Sequence, residues 1–230
     1  MQIIAARAGG DLRAYRDLRG PAARRTTSEV MADLLDEAEA RFRALQSYRA
    51  TLHSIGPDGD RQVMQYFYRK PGWVRIDCIE PHRGAVLIYD PGARKVRVWT
   101  FGLGFVWGFG FAPALSLAPD NPLVRSPRGH TVDRSDVGAL FENLQALRTN
   151  GSLTPLGAGT IAGESAIGFE VAGAGGVTVG GVHRNRVWLA QDTLFPRRVE
   201  SFDEADDPVE TVDLVDVDLD VGFPERFFAP

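Results

Sequence analysis

The chain has 230 residues, 44% of them apolar and 24% charged, which allows a large core and excludes a disordered polypeptide. Net charge is −4, so the chain lacks the basic excess that nucleic-acid binding calls for. Cys78 is the single cysteine, which excludes an internal disulfide.

Charge is unevenly spread along the chain. Residues 1–25 carry six arginines against two aspartates, and residues 200–220 carry ten acids and no base. The first stretch reads as a basic arm, loosely ordered as termini often are, which could touch an anionic membrane or an acidic partner. No secretory signal is visible: residues 1–6 are too few for its apolar region, and Arg7 interrupts them.

A helix is expected over residues 28–46. Thr26, with Glu29 three residues on, fits a capping box, and Val30, Leu34, Leu35, Ala38, Phe42 and Leu45 form one stripe at helical spacing. Five strands follow between Tyr48 and Phe101. Tyr48, Ala50 and Leu52 alternate with Arg49, Thr51 and His53, and Val74, Ile76 and Cys78 alternate with Arg75 and Asp77. Turns at Gly56-Pro-Asp-Gly59, Lys70-Pro-Gly72, residues 81–84 and Asp90-Pro-Gly92 separate them, the pattern of an antiparallel meander.

Residues 98–119 hold no charged side chain over 22 positions and include Trp99, Phe101, Phe105, Trp107, Phe109 and Phe111. Their length would suffice to span a bilayer, but Gly102, Gly104, Gly108, Gly110, Pro113 and Pro119 point instead to a loop or flap lying on an apolar cavity. A second helix is expected over residues 135–149, capped at its start by Asp133 or Ser135 and at its end by Gly151. Strands are expected at 160–172, 182–189, 197–202 and 209–219. In the last, the apolar parity switches between Leu214 and Val215, which predicts a bulge or bend.

This order makes residues 26–230 one α+β domain, mainly antiparallel β, with neither linker nor repeat. A sheet of nine or ten strands must curl or close, and the two amphipathic helices are available to cap its concave face.

No catalytic constellation emerges. Ser165, in Gly163-Glu-Ser-Ala-Ile167, lacks the second glycine of a nucleophile elbow. His53, His82, His130 and His183 are scattered, and with no cysteine pair a zinc site is not expected. Counting an EF-hand loop from Asp216 puts Val221 and Phe227 where glycine and glutamate belong, so Asp216, Asp218 and Asp220 read as the wet face of a strand. The glycines at 102–108 lack phosphate-loop spacing. What remains is the contiguous apolar segment 98–119, which reads as a ligand cavity, a partner site or a membrane contact, with an ordinary packed loop as the alternative.

Several local phrases resemble the LolA/LolB superfamily of lipoprotein-localisation factors, with its relatives in envelope stress sensing and mycobacterial lipid carriage. They are Phe42-Arg-Ala-Leu-Gln-Ser-Tyr48, Tyr68-Arg-Lys-Pro-Gly-Trp-Val-Arg75, Gly84-Ala-Val-Leu-Ile-Tyr-Asp90, Val187-Trp-Leu189 with Phe195-Pro-Arg-Arg-Val199, and Gly222-Phe-Pro-Glu-Arg-Phe-Phe228. The resemblance covers residues 30–230; the basic arm and residues 101–124 fall outside its pattern. It implies an unclosed half-barrel of about nine to eleven strands, lidded by helices around a hydrophobic cavity. It also implies acyl-chain binding and a periplasmic or cell-envelope location.

The expected function is therefore non-enzymatic carriage of a lipid or lipoprotein acyl chain, without cofactor or metal. Lining and lid are expected from Met64, Tyr66, Val74, Ile76, Leu87, Val98, Phe105, Trp107, Phe109 and Phe111, with Leu140 and Leu144 from the second helix. Burial at about 0.8 kcal/mol per CH2 would give a sixteen-carbon chain on the order of 10 kcal/mol before ordering costs. Transient contact with a membrane or membrane protein is compatible with this role. The alternative is an envelope sensor of the same fold that binds a protein partner through the apolar loop.

Overall fold

The computed structural model describes residues 26–100, 114–126 and 128–228. The basic arm and four of the expected lid residues, Phe105, Trp107, Phe109 and Phe111, lie outside the described residues.

Helix α1, Thr27–Ala44, begins at the expected capping box: the Glu29 N–H donates to the Thr26 hydroxyl, and the Thr26 N–H donates to the Glu29 carboxylate at 2.7 Å. Its stripe of Met31, Leu34, Leu35, Ala38 and Phe42 is buried. Five strands follow: β1 (Ser47–Ile55), β2 (Arg61–Arg69), β3 (Trp73–Glu80), β4 (Val86–Asp90) and β5 (Lys95–Trp99). A short β6, Leu115–Leu117, then pairs with β5, so the uncharged stretch ends as an edge strand rather than remaining a loop.

Helix α2, Val137–Arg148, starts later than expected, and its cap is Asp136, which accepts from the Gly138 and Ala139 N–H groups. Ser135 is otherwise engaged, its hydroxyl donating to the Val132 carbonyl and bonding the Tyr66 hydroxyl. At the far end the left-handed residue is Asn150, at φ 63°. Gly151 is needed for close approach instead: a Cβ there would lie 2.2 Å from the Ala172 carbonyl oxygen.

The remaining strands are β7 (Ser152–Ile161), β8 (Glu164–Ala172), β9 (Arg184–Ala190), β10 (Pro196–Phe202) and β11 (Pro208–Leu219). β7 is unexpected, because Pro155, Gly157 and Gly159 interrupt any apolar alternation. It pairs with β8 across a turn whose central residues, Ala162 and Gly163, both have positive φ, the geometry that matches strand twist.

All eleven strands form one antiparallel sheet in the order β6-β5-β4-β3-β2-β1-β11-β10-β9-β8-β7. β1 therefore joins two meanders, and the edges β6 and β7 do not meet: the sheet is an unclosed half-barrel. The parity switch on β11 is a bulge, with Asp218 opposite Arg49 but Val215 opposite Thr51, and Asp216 at φ 50°.

The inner face packs with both helices into one core. α1 lies against β7 and α2, and α2 against β8. The outer face carries a second, smaller core in which Phe228, fully buried, joins Val86, Ile88 and Trp99, with Phe67, Trp73, Phe223 and Phe227 around it. The C-terminal segment thus crosses the back of β2–β5. Arg75 donates to the Phe227 carbonyl at 3.0 Å and Arg97 to the Phe228 carbonyl at 3.1 Å.

Candidate functional site

Strand register arranges the inner side chains of β1–β6 in three rows. Nearest the helices run Tyr48, Tyr68, Val74, Tyr89, Val96 and Leu117. Beside them run Ala50, Tyr66, Ile76, Leu87, Val98 and Leu115. The third row is Leu52, Met64 and Cys78. No member of these rows carries a charge at neutral pH. Burial pushes the Tyr48 and Tyr66 phenols well above the usual range, and burial with the nearby Asp136 carboxylate pushes Tyr68 up to about 12. Burial, then Asp77, raises the Cys78 thiol too.

The rows are unevenly covered. The first is sealed from Tyr48 to Val96. In the second, burial fades from Tyr66 at 2% exposed to half-buried Leu87 and Val98 and to Leu115 at 52%. Leu52, Met64 and Cys78 are all half-buried. In contrast, the inner residues of β8 and β9 beneath the helices, Phe169, Val171, Val187 and Leu189, are fully sealed. Of the expected lining, Met64, Tyr66, Val74, Ile76, Leu87, Val98, Leu140 and Leu144 all belong to the single inner core, the first six on this wall and the last two on α2. Leu144 is sealed, whereas Leu140 is half-buried.

Helix α2 is pinned to the wall by polar bonds. The Tyr48 hydroxyl accepts from the Val137 N–H at 3.2 Å, and the Tyr66 and Ser135 hydroxyls are 3.0 Å apart. Tyr48 stacks with Tyr66 and Tyr68 at 5.9 and 5.2 Å between ring centroids. Between β5 and α2, residues 118–126 and 128–136 form a flap over the same half of the sheet. Only Val124 and Val132 of this flap are buried apolar anchors among the described residues.

A polar cluster that sequence reasoning missed ties this flap to the sheet. Arg128, its side chain 7% exposed, reaches Asp60 at 2.9 Å in the β1–β2 turn and Glu210 at 3.4 Å at the start of β11. The Ser54 hydroxyl donates to Glu210 at 2.5 Å, and His130 lies 3.4 Å from the same carboxylate. Burial pushes Glu210 up, but His130, Ser54 and Arg128 outweigh it and hold the carboxyl below the usual range. Only Gly56, which leaves room for the Arg128 guanidinium, hints at this cluster in the sequence.

A cleft of about 700 Å³ lies elsewhere, on the outer side where β11 parts from β10. Its charges are already paired: Arg49 with Asp218 at 2.6 Å and Arg197 with Glu164 at 2.5 Å, while Thr51 bonds Asp216. Between these charged groups the lining is apolar, with Phe67, Ile161, Leu214 and Val217 among it. Among the described residues no group of three or more His, Cys, Asp or Glu could hold a metal ion, and no helix is long and apolar enough to cross a membrane.

No family model and no curated protein matches the chain. Solved structures do. The lipoprotein LppX of Mycobacterium tuberculosis superposes with a TM-score of 0.50 at 10% identity, over 86% of this chain and 99% of that one. MucB superposes with a TM-score of 0.50 at 17% identity, over 89% of this chain. The chain spans 64% of MucB, which has also been solved in complex with MucA from Pseudomonas aeruginosa. At these identities the likeness is one of fold alone.

Proposed function

We propose that the chain is a non-enzymatic carrier that binds a lipid or lipoprotein acyl chain against the inner wall of β2–β5, working in the cell envelope. The observation that carries this reading is the uncharged row Tyr66, Ile76, Leu87, Val98 and Leu115, which loses its cover step by step across the sheet. A hydrocarbon laid along it would complete the burial of Leu87 and Val98, at about 25 cal/mol per Å² of apolar surface removed from water. Burial keeps the phenols and the thiol of the wall in their neutral forms, so no charge has to be desolvated against a chain.

The test is Val98→Asp, which sets a carboxylate on the row at a half-buried position. Affinity for a fluorescent fatty acid should fall at least about tenfold, roughly 1.4 kcal/mol, with the circular dichroism spectrum retained. Leu156→Asp, on the edge strand β7 where Leu156 is 38% exposed, should leave affinity unaltered. Equal affinity in Val98→Asp and wild type would sink the reading.

The second reading, a module that binds a protein partner, is favoured by MucB, which shares the fold and has been solved with MucA. Native mass spectrometry separates the two: a co-purifying lipid supports the carrier, and an empty chain in a stable protein complex supports the partner module.

A further inference from the structure

We propose that the outer cleft beside β11 is a docking groove for an extended peptide segment of a partner protein. The peptide pairs its main chain with the free edge of β11 and sets an acidic side chain against Arg197 and a basic one against Asp216. The groove opens on the outer side of the sheet, away from the acyl-chain wall, and the inference rests on neither the carrier reading nor the likeness to MucB.

The free edge comes from a mismatch in strand length. β11 pairs with β1 as far as Leu219, but with β10 only as far as Asp213. β10 begins at Pro196, which has no N–H to extend the ladder, and it is bulged between Pro196 and Arg198. On the side away from β1, residues 214–219 therefore have no strand beside them, which leaves roughly 20 Å of edge at about 3.4 Å per residue. Residues 214–218 line the cleft in unbroken succession. Strand side chains alternate between faces, so the cleft follows the edge of the strand rather than one of its faces. Such an edge is a template for another extended chain. The volume of about 700 Å³ is ample for one.

The polar groups of the cleft are satisfied at all but two points. Arg197, 9% exposed, meets Glu164 through Nη2, but its buried Nε has no hydrogen-bond partner among the described residues. A buried donor left unsatisfied is costly, and a carboxylate entering the cleft removes that cost. Asp216 accepts from the Thr51 hydroxyl at 3.2 Å and has no cation in ion-pair reach among the described residues. Continuing the ladder from Arg198 and Asp213 sets Arg197 beside Leu214, so Asp216 lies two residues further along β11. An acid and a base two positions apart on an extended peptide share a face, which matches that spacing. The carboxylates of Glu164, Asp216 and Asp218 disfavour a polyanion, and charges on both banks disfavour a bare hydrocarbon. Phe67 and Val217 between them offer apolar contact to the intervening side chains.

The probe is a displayed heptapeptide library that alternates valine with random residues, panned against the full chain. Enriched peptides should carry an acid two positions from a base, and the strongest is then made synthetically and titrated by fluorescence anisotropy. Methylating alternate amide nitrogens should weaken it at least about tenfold in the set that faces β11 and leave affinity unaltered in the other set. Arg197→Gln and Asp216→Asn should each weaken it at least about fivefold. Asp216 has φ 50°, which asparagine also adopts, so Asp216→Asn keeps the bulge and decides the charge test alone if Arg197→Gln fails to fold. A saturating fatty acid should leave peptide affinity unaltered. The proposal is overturned if no peptide is enriched, if both methylated sets bind alike, if Asp216→Asn binds as tightly as wild type, or if the fatty acid displaces the peptide.

Discussion

Tyr48 joins β1, β2 and α2 through one side chain. Its ring is 1% exposed and stacks on Tyr66 and Tyr68, and its hydroxyl accepts from the first N–H of α2. That N–H has no acceptor within its own helix. Tyr48→Phe would leave it buried and unsatisfied, so the variant should lose about 1–3 kcal/mol in urea denaturation. Tyr66→Phe should cost less, because Ser135 keeps its bond to the Val132 carbonyl; the reverse order would show that α2 is not held by Tyr48. Alternation along the strand is enough to turn Tyr48 inward. Its partner, Val137, is 89 positions away, and no local pattern announces a bond across that separation.

At the scale of elements, the C-terminal segment shows a cover made without regular structure. Phe223, Phe227 and Phe228 pack on the outer face, with Arg75 4.3 Å from the Phe227 ring centroid and Arg69 4.8 Å from that of Phe228. Phe228→Ala should cost about 3–5 kcal/mol, the range for deleting a fully buried phenylalanine, read as a lower midpoint in denaturant. A cost under about 1 kcal/mol would mean that the segment lies on the sheet without stabilising it. The helices, the strands β1–β5 and the bulge on β11 were legible because each repeats a period or breaks one at a definite residue. β7 was not: Pro155, Gly157 and Gly159 suit an edge strand, which need pair on one side only, and they erase the alternation that would reveal it.

At the scale of the molecule, the two halves of the inner face differ in their cover. Beneath the helices, Phe169, Val171, Val187 and Leu189 are sealed, while across β1 the wall thins towards Leu87, Val98 and Leu115. Native-state hydrogen exchange should follow this gradient, with β8–β9 amides protected to the global unfolding limit and β5–β6 amides opening at lower free energy. Equal protection in both halves would argue against a wall built to open. Sequence alone determined the strand and helix alternation, the inward parity of the wall residues and the apolar surplus, because these follow from local periodicity and the burial it demands. Tertiary structure alone decided how far each wall residue is covered, that Asp136 rather than Asp133 or Ser135 caps α2, and that Arg128, Asp60 and Glu210 meet. Those outcomes depend on which distant segments the curled sheet brings within a few ångströms of one another, and a short-range pattern carries no record of that.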